Sequence, residues 1–258
     1  MGNAPSRRLF DLIPTAVGVA SLGVVAAVFE ALLRLGVLNR YIIPLPSEVA
    51  LSFERLVSEE DVLARFLLTG SEALAAVAAV AVVGGIVGVL LYKLPTLRLA
   101  TETWVAACAA APVILAYPLF LVIFGRSSWT VIAIGFVAGL PPMILKTVEG
   151  LSGTRPVLLA VGRSFNLTPR QQIWKIMMPA ALPTLFVGLR LAVIFALINI
   201  VAVEFLINFG GLGQVIANLA ERYDMAGTYA AICFVILVSA LIFFSLERAE
   251  EWLRPSQQ

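Results

Sequence analysis

The chain has 258 residues, of which 60% are hydrophobic and 13% charged, with a formal net charge of +2 and no histidine. Soluble domains carry about 45–50% apolar and about 25% charged residues, so an ordinary water-soluble domain is excluded. The small net charge excludes a nucleic-acid binder, and the lack of histidine excludes a Ser-His-Asp triad and histidine-ligated zinc. We therefore expect a polytopic membrane protein without a catalytic or metal site of its own.

Six runs are long and apolar enough to cross a bilayer, since a hydrocarbon core about 30 Å thick needs about 20 residues of helix. They are apolar on every face, unlike the alternating strands of a membrane barrel. The predicted fold is all-α, with six transmembrane helices in a single domain over residues 1–258 and a core at about 66–248. The predicted spans are residues 12–33, 66–92, 104–124, 129–148, 183–207 and 228–246.

The positively charged residues outside these spans indicate an orientation. With the amino terminus inside, eleven Lys and Arg residues lie on the inner side and six on the outer side. Cytoplasmic segments carry the excess of such residues, so both termini are predicted to be cytoplasmic.

Small residues and prolines mark the second and third spans. Gly84 and Gly88 form a Gly-x-x-x-Gly pair, which favours close helix packing within the subunit over a seam between subunits. Pro112 and Pro118, with Tyr117 between them, are predicted to interrupt the third span. A proline inside a helix bends it and frees a carbonyl. The three residues are therefore either a structural kink or part of the lining of a conduit.

The fourth span and the insertion that follows it carry further breaks. Pro141 and Pro142 are predicted to interrupt the fourth span. In the cytoplasmic insertion at about 149–178, residues 156–165 have the pattern of a short amphipathic helix, and a turn follows at Asn166.

Beyond the turn, Thr168 is predicted to cap a second helix, residues 169–178, which ends before Pro179. The insertion is thus a helix–turn–helix along the membrane. It is either an interfacial anchor or a docking element for a cytoplasmic partner.

The fifth span carries two charges on one face, because the separation between Arg190 and Glu204 places them within about 40° of each other. That face is expected to meet protein or water and not lipid. Arg190 is predicted either to snorkel or to act in a path or in holding the insertion. Glu204 is predicted to line an outer gate or, as we favour, to support the glycine turn at 210–213. Asn199 is predicted to bond a neighbouring helix.

Residues 159–183 resemble the cytoplasmic signature loop of ABC-importer permeases. That loop reads approximately Glu-Ala-Ala, a glycine, and an apolar run ending in Pro-x-x-x-Pro, and here the run ends in Pro179 and Pro183. The opening departs from the pattern: residues 160–162 read Ala-Val-Gly, and Asn166 stands where the glycine is expected. Asparagine is the next-best residue for a left-handed turn, so the turn can survive.

Other segments resemble the branch of that family that handles nitrate, sulfonates, taurine and related small anions. The resemblance covers about residues 37–250, and the order and spacing of its segments make it specific. These segments are Pro-Leu-Pro-Ser within 43–49, Pro112 with Pro118 and Phe124-Gly125, Gly188-Leu189-Arg190, Val203-Glu204 and Gly211-Leu212-Gly213.

The resemblance implies a non-enzymatic permease of the bacterial inner membrane, with a coupling helix between the fourth and fifth spans. It implies two cytoplasmic ATPase subunits that hold ATP and magnesium, a second identical or homologous permease chain, and an extracytoplasmic solute-binding protein. In agreement, the sequence has no Gly-x-x-x-x-Gly-Lys-Ser/Thr phosphate loop. The expected surroundings are membrane lipid, without nucleic acid.

The candidate residues fall into three sets by their expected role. Those expected to couple to the ATPase are Pro156, Leu158, Leu159, Val161, Gly162, Arg163, Ser164, Phe165, Asn166 and Thr168. Those expected in the translocation path or gate are Pro112, Tyr117, Pro118, Arg190, Asn199 and Glu204. Those of the outer turn are Gly210, Gly211 and Gly213.

Two other classes of membrane protein are alternatives to a permease. An ion-coupled secondary carrier needs an intramembrane ion relay and generally an internal repeat, and neither is evident in the sequence. A membrane enzyme is the weakest alternative, because no clustered carboxylates are expected inside the spans.

Overall fold

The computed structural model of the chain describes residues 6–40 and 42–253. The regular elements in these two ranges are helices, which confirms the predicted all-α class. They are α1 Ser6–Arg34, α2 Pro46–Glu59, α3 Val62–Lys93, α4 Pro95–Ala110, a 3₁₀ turn Val113–Ala116, α5 Tyr117–Phe124, α6 Ser128–Ser152, α7 Pro156–Ser164, α8 Pro169–Gln172, a π-helical turn Ile173–Met177, α9 Met178–Ile207, α10 Leu212–Glu221 and α11 Met225–Leu253.

Four helical segments in the described ranges are long and apolar enough to cross a membrane: Val62–Lys93, Ser128–Ser152, Pro169–Glu221 and Met225–Arg248. They contain the predicted second, fourth, fifth and sixth spans. A bent pair, Pro95–Ala110 with Val113–Phe124, is a fifth candidate. Helix α1 covers the predicted first span, and the count of six stays a prediction.

The third predicted span is broken, since its two parts meet at 88°. Helix α4 ends before Pro112, and Ala111 has an extended backbone, with φ −72° and ψ 136°. Proline lacks an N–H, and its ring disfavours the helical region for the residue before it, which accounts for the break here. Pro118 lies in the first turn of α5, where proline is tolerated. The expectation that Pro118 interrupts a helix is therefore wrong.

The predicted interruption of the fourth span is also wrong. Helix α6 runs unbroken through Pro141 and Pro142, and both prolines are buried. Helix α6 is more enclosed than α3, since 14 of its 25 residues are buried, against 9 of 32 in α3. Neighbouring helices on several sides can hold a proline-containing helix in place, and membrane helices tolerate proline for this reason.

Glycines bring α3 close to α6. A Cβ atom on Gly88 would lie 2.4 Å from Thr147 Cβ, and one on Gly84 would lie 2.8 Å from Met143 Cγ. Such distances are too short for any side chain, so small residues set the spacing of the two helices. The prediction that Gly84 and Gly88 serve packing within the subunit is confirmed.

The chain divides into two compact units, one of Met1–Asp61 with Asn218–Cys233 and one of Val62–Ala217 with Phe234–Gln258. In the first unit, the Glu30 carboxylate of α1 accepts hydrogen bonds from the Ser47 N–H (3.1 Å) and the Ser47 hydroxyl (2.9 Å). A carboxylate is stabilising at a helix N-terminus, and Ser47 lies in the first turn of α2. The Pro-Leu-Pro-Ser segment thus fixes the start of α2. The single domain predicted from the sequence stays a prediction.

Candidate functional site

Helix α7, in the insertion predicted to couple to an ATPase, ends in a left-handed turn. Asn166 has φ 53°, the Leu167 N–H donates to the Gly162 carbonyl (3.0 Å), and the Asn166 N–H donates to the Arg163 carbonyl (2.9 Å). These two bonds define a Schellman motif, which glycine commonly closes. Asparagine fills that position here, so the turn expected at Asn166 is confirmed.

Thr168 caps the next helix as predicted. Its hydroxyl accepts from the Gln171 N–H (3.3 Å), and its own N–H donates to Gln171 Oε1 (2.9 Å), which together form a capping box. The helical path then continues through Ile173–Met177 into α9. The predicted end before Pro179 is wrong, because the wider π-helical turn carries the chain past this proline.

Two of the ten coupling candidates face inward and anchor α7. Gly162 is buried, and a Cβ atom there would lie 2.6 Å from Ile176 Cδ1. Leu159 packs against a buried cluster that includes Ile173 and Met177. The two residues hold α7 against the start of the helical segment that leads into α9.

The opposite face of α7 is apolar and exposed. Val157 is 71% exposed, Val161 47% and Phe165 75%, and residues four apart on a helix share a face. The sequence prediction omitted Val157, although its place one turn before Val161 could have shown it. Pro156, Leu158, Arg163, Ser164, Asn166 and Thr168 are also exposed.

Arg190 pairs with acidic residues of α11. Its Nη1 lies 3.2 Å from Glu250 Oε2 and 3.7 Å from Glu247 Oε1, and its guanidinium lies 5.3 Å from the ring centroid of Phe243. Cation–π contacts of this kind add to the ion pair. In the described part of the chain, Arg190 therefore ties α9 to α11.

The other path candidates are scattered. Asn199 donates to the Phe195 carbonyl of its own helix (2.9 Å), and the expected bond to a neighbouring helix stays a prediction. A short amide side chain readily reaches the carbonyl one turn back. Tyr117 is half-buried against an apolar cluster, whereas Pro112 and Pro118 are exposed. These residues are not gathered into one site with Arg190 and Glu204.

Glu204 is buried at the end of α9 that is predicted to face outside. Its Oε2 accepts from the Gly213 N–H (2.9 Å), and its Oε1 accepts from the Thr69 hydroxyl of α3 (2.8 Å). The Thr69 oxygen in turn accepts from the Leu212 N–H (2.9 Å). These contacts agree with the favoured alternative, in which Glu204 supports the glycine turn, and not with a residue that lines an open gate.

The glycines of this turn have no room for side chains. A Cβ atom on Gly211 would lie 2.0 Å from Thr69 Oγ1, and one on Gly213 would lie 2.3 Å from the Val201 carbonyl oxygen. Gly210 has φ +71°, a conformation that glycine adopts without strain. The three predicted residues therefore form one closely packed turn.

Glu72 is the residue that the sequence analysis missed. It lies in α3 and is 3% exposed, and its carboxyl lies beside the Glu204 carboxyl and the Ser128 hydroxyl. The expectation that no carboxylates cluster inside the spans is therefore wrong. The available signal was an acidic residue inside a predicted span, which marks a functional position in membrane proteins by default.

Residues 75–257 match the family described as "Binding-protein-dependent transport system inner membrane component". The chain belongs to this family. This membership confirms the resemblance to ABC-importer permeases drawn from the signature loop. It favours a permease over an ion-coupled carrier or a membrane enzyme.

Two curated relatives and one solved structure are similar to this permease. The formylaminopyrimidine transport permease protein ThiX of Halalkalibacterium halodurans is 28% identical over 67% of this chain and 70% of its own length. The aliphatic sulfonates transport permease protein SsuC of Bacillus subtilis is 24% identical over 87% and 81%. An inward-facing structure of the MetNI methionine ABC transporter matches with TM-score 0.66 and 22% identity, over 75% of this permease and 96% of that chain. The last likeness concerns the fold alone.

Proposed function

We propose that the chain is the transmembrane permease subunit of an ATP-driven importer, with α7 as the helix that couples it to a cytoplasmic ATPase. The observation that carries the proposal is the exposed apolar face of Val157, Val161 and Phe165. Exposed apolar patches mark protein or membrane interaction sites, and membership of the transport family favours a protein partner here. Gly162 and the turn at Asn166 hold the helix rigidly, as transmission of force requires.

The finer features of the assembly belong to the same proposal. The chain crosses the inner membrane six times with both termini in the cytoplasm, and a second identical or homologous permease chain completes the path. Helices α4 and α5 support this pairing, because they bury none of their residues in the described structure. Two ATPase subunits hold ATP and magnesium, and a binding protein delivers the solute.

The solute class is proposed as a small anion. The sulfonate relative supports this class, whereas the ThiX relative is named for a pyrimidine. Competition between an alkanesulfonate and an aminopyrimidine for uptake by the assembled transporter distinguishes the two. Inhibition by the sulfonate alone is expected, and inhibition by the pyrimidine alone would contradict an anion carrier.

The coupling proposal is tested on α7. Val161→Asp places a charge on the docking face without touching the buried side of the helix. We expect the purified permease to stay folded while co-purification with its ATPase subunits falls at least tenfold. Val161→Ile, which keeps the face apolar, is the matched control and retains them. Full ATPase association of Val161→Asp would refute the assignment of α7.

A further inference from the structure

Two buried carboxyl groups meet where α3, α6 and α9 come together, at the end predicted to face outside. Glu72 is 3% exposed and Glu204 is fully buried. Among the described residues, neither carboxyl enters an ion pair, and both oxygens of Glu72 lack a hydrogen-bond partner. Buried polar groups are nearly always bonded, so the Glu72 carboxyl requires an explanation.

The hydrogen bonds around Glu204 suit an ionised carboxylate. The Gly213 N–H points at one oxygen and the Thr69 hydroxyl at the other. The Thr69 oxygen accepts from the Leu212 N–H, and the Thr69 hydroxyl donates its own hydrogen to Glu204 Oε1. An ionised carboxylate is acceptor-only and satisfies both donors.

The arginines nearby do not compensate a second negative charge. Arg65 of α3 donates to the Gly210 carbonyl (3.1 Å) and to Gln214. Arg126, between α5 and α6, donates to the Asn208 carbonyl. Both guanidinium groups thus donate to residues within 208–214, and neither has a described hydrogen bond to Glu72 or Glu204.

Two adjacent carboxylates without a cation cannot both remain ionised in a buried site. We propose that Glu72 and Glu204 form a proton-binding pair, in which a neutral Glu72 donates its O–H to the Glu204 carboxylate. The bound proton gives the Glu72 carboxyl a hydrogen-bond partner in Glu204 and removes the repulsion between α3 and α9. It thereby holds the turn at 210–213 in place. This inference concerns the fold of the chain and does not depend on the proposed transport.

The proposal predicts an asymmetry between the two residues. Glu72→Gln replaces the O–H donor by an amide N–H donor, so the full-length chain in detergent is expected to unfold within a few degrees of the wild-type temperature. Glu204→Gln leaves one acceptor oxygen for the three donors, which are the Gly213 N–H, the Thr69 hydroxyl and the Glu72 O–H, and is expected to unfold at a markedly lower temperature. Glu72→Ala, which removes the donor and leaves a gap, is expected to lower it as well.

Infrared spectroscopy supplies a second readout on the same samples. The difference spectrum of wild type minus Glu72→Gln is expected to show the carbonyl stretch of a protonated carboxylic acid. A bound metal cation would instead make both Gln variants unstable and leave no such band. An unstable Glu72→Gln variant, or the absence of this band from the difference spectrum, would overturn the proposal.

Discussion

Single backbone positions decide whether the turn at 210–213 can form. Gly213 is packed so closely that a Cβ atom there would lie 2.3 Å from the Val201 carbonyl oxygen. Backbone atoms within α9 cannot move aside as a flexible side chain can. The carboxylate of Glu204 accepts the Gly213 N–H only while this close approach is preserved.

Gly213→Ala is therefore expected to destabilise the protein by about 1–3 kcal/mol, the range of overpacking substitutions. The free energy of unfolding in detergent is the measurement. Gly70→Ala is the control, because a Cβ atom there has nothing within 4 Å. Equal stability of the two variants would show that the turn is not packed as described.

The pairing of Arg190 with α11 makes a second prediction at this scale. A double-mutant cycle of Arg190→Gln and Glu250→Gln is expected to give a coupling energy of about 0.5–3 kcal/mol, because the Glu250 side chain is buried. Glu247 is more exposed and its carboxylate lies farther from the guanidinium, at 3.7 Å. The same cycle with Glu247→Gln is expected to give about 0–1 kcal/mol. A stronger coupling to Glu247 than to Glu250 would contradict this arrangement.

At the scale of elements, the sequence was sufficient to locate the apolar helices but not to predict where they break. Hydropathy locates α3, α6, α9 and α11, because burial in lipid demands long apolar runs. Proline alone could not show that α6 continues while the chain bends at Pro112. That outcome depends on packing: α6 is enclosed by neighbours, and α4 and α5 bury no residues in the described structure.

Helix α3 offers a test of close packing. Gly88→Ala would place a methyl group 2.4 Å from Thr147 Cβ, and a loss of about 1–3 kcal/mol is expected. Gly85→Ala, in the same helix with nothing within 4 Å, is expected to gain up to about 1 kcal/mol. Unfolding in detergent measures both. A reversed order of stability would place the contact face of α3 elsewhere.

The end of α7 offers another test. Asn166 has a left-handed backbone, in which a β-branched residue is strained. Asn166→Val is expected to cost about 1–2 kcal/mol and to weaken ATPase association, whereas Asn166→Gly keeps both near wild type. Co-purification of the subunits and unfolding of the purified chain are the measurements. Equal behaviour of Val and Gly at this position would argue against the Schellman turn.

At the scale of the molecule, function depends on residues that are distant in sequence. The signature loop could be read from its pattern, because capping residues and turn residues act locally. The Glu72–Glu204 pair could not, since Glu72 lies 132 positions before Glu204 and only the packing of α3 on α9 brings them together. Arg190 likewise finds its partners on α11, a separate helix.

We propose that this chain works only as one part of a nucleotide-driven assembly. The most direct measurement is the mass of the intact complex extracted from membranes. We expect two permease chains, identical or homologous, together with two ATPase subunits, and loss of the ATPase subunits in the Val161→Asp variant. A lone chain that carries solute without ATP, or an assembly without an ATPase, would contradict it.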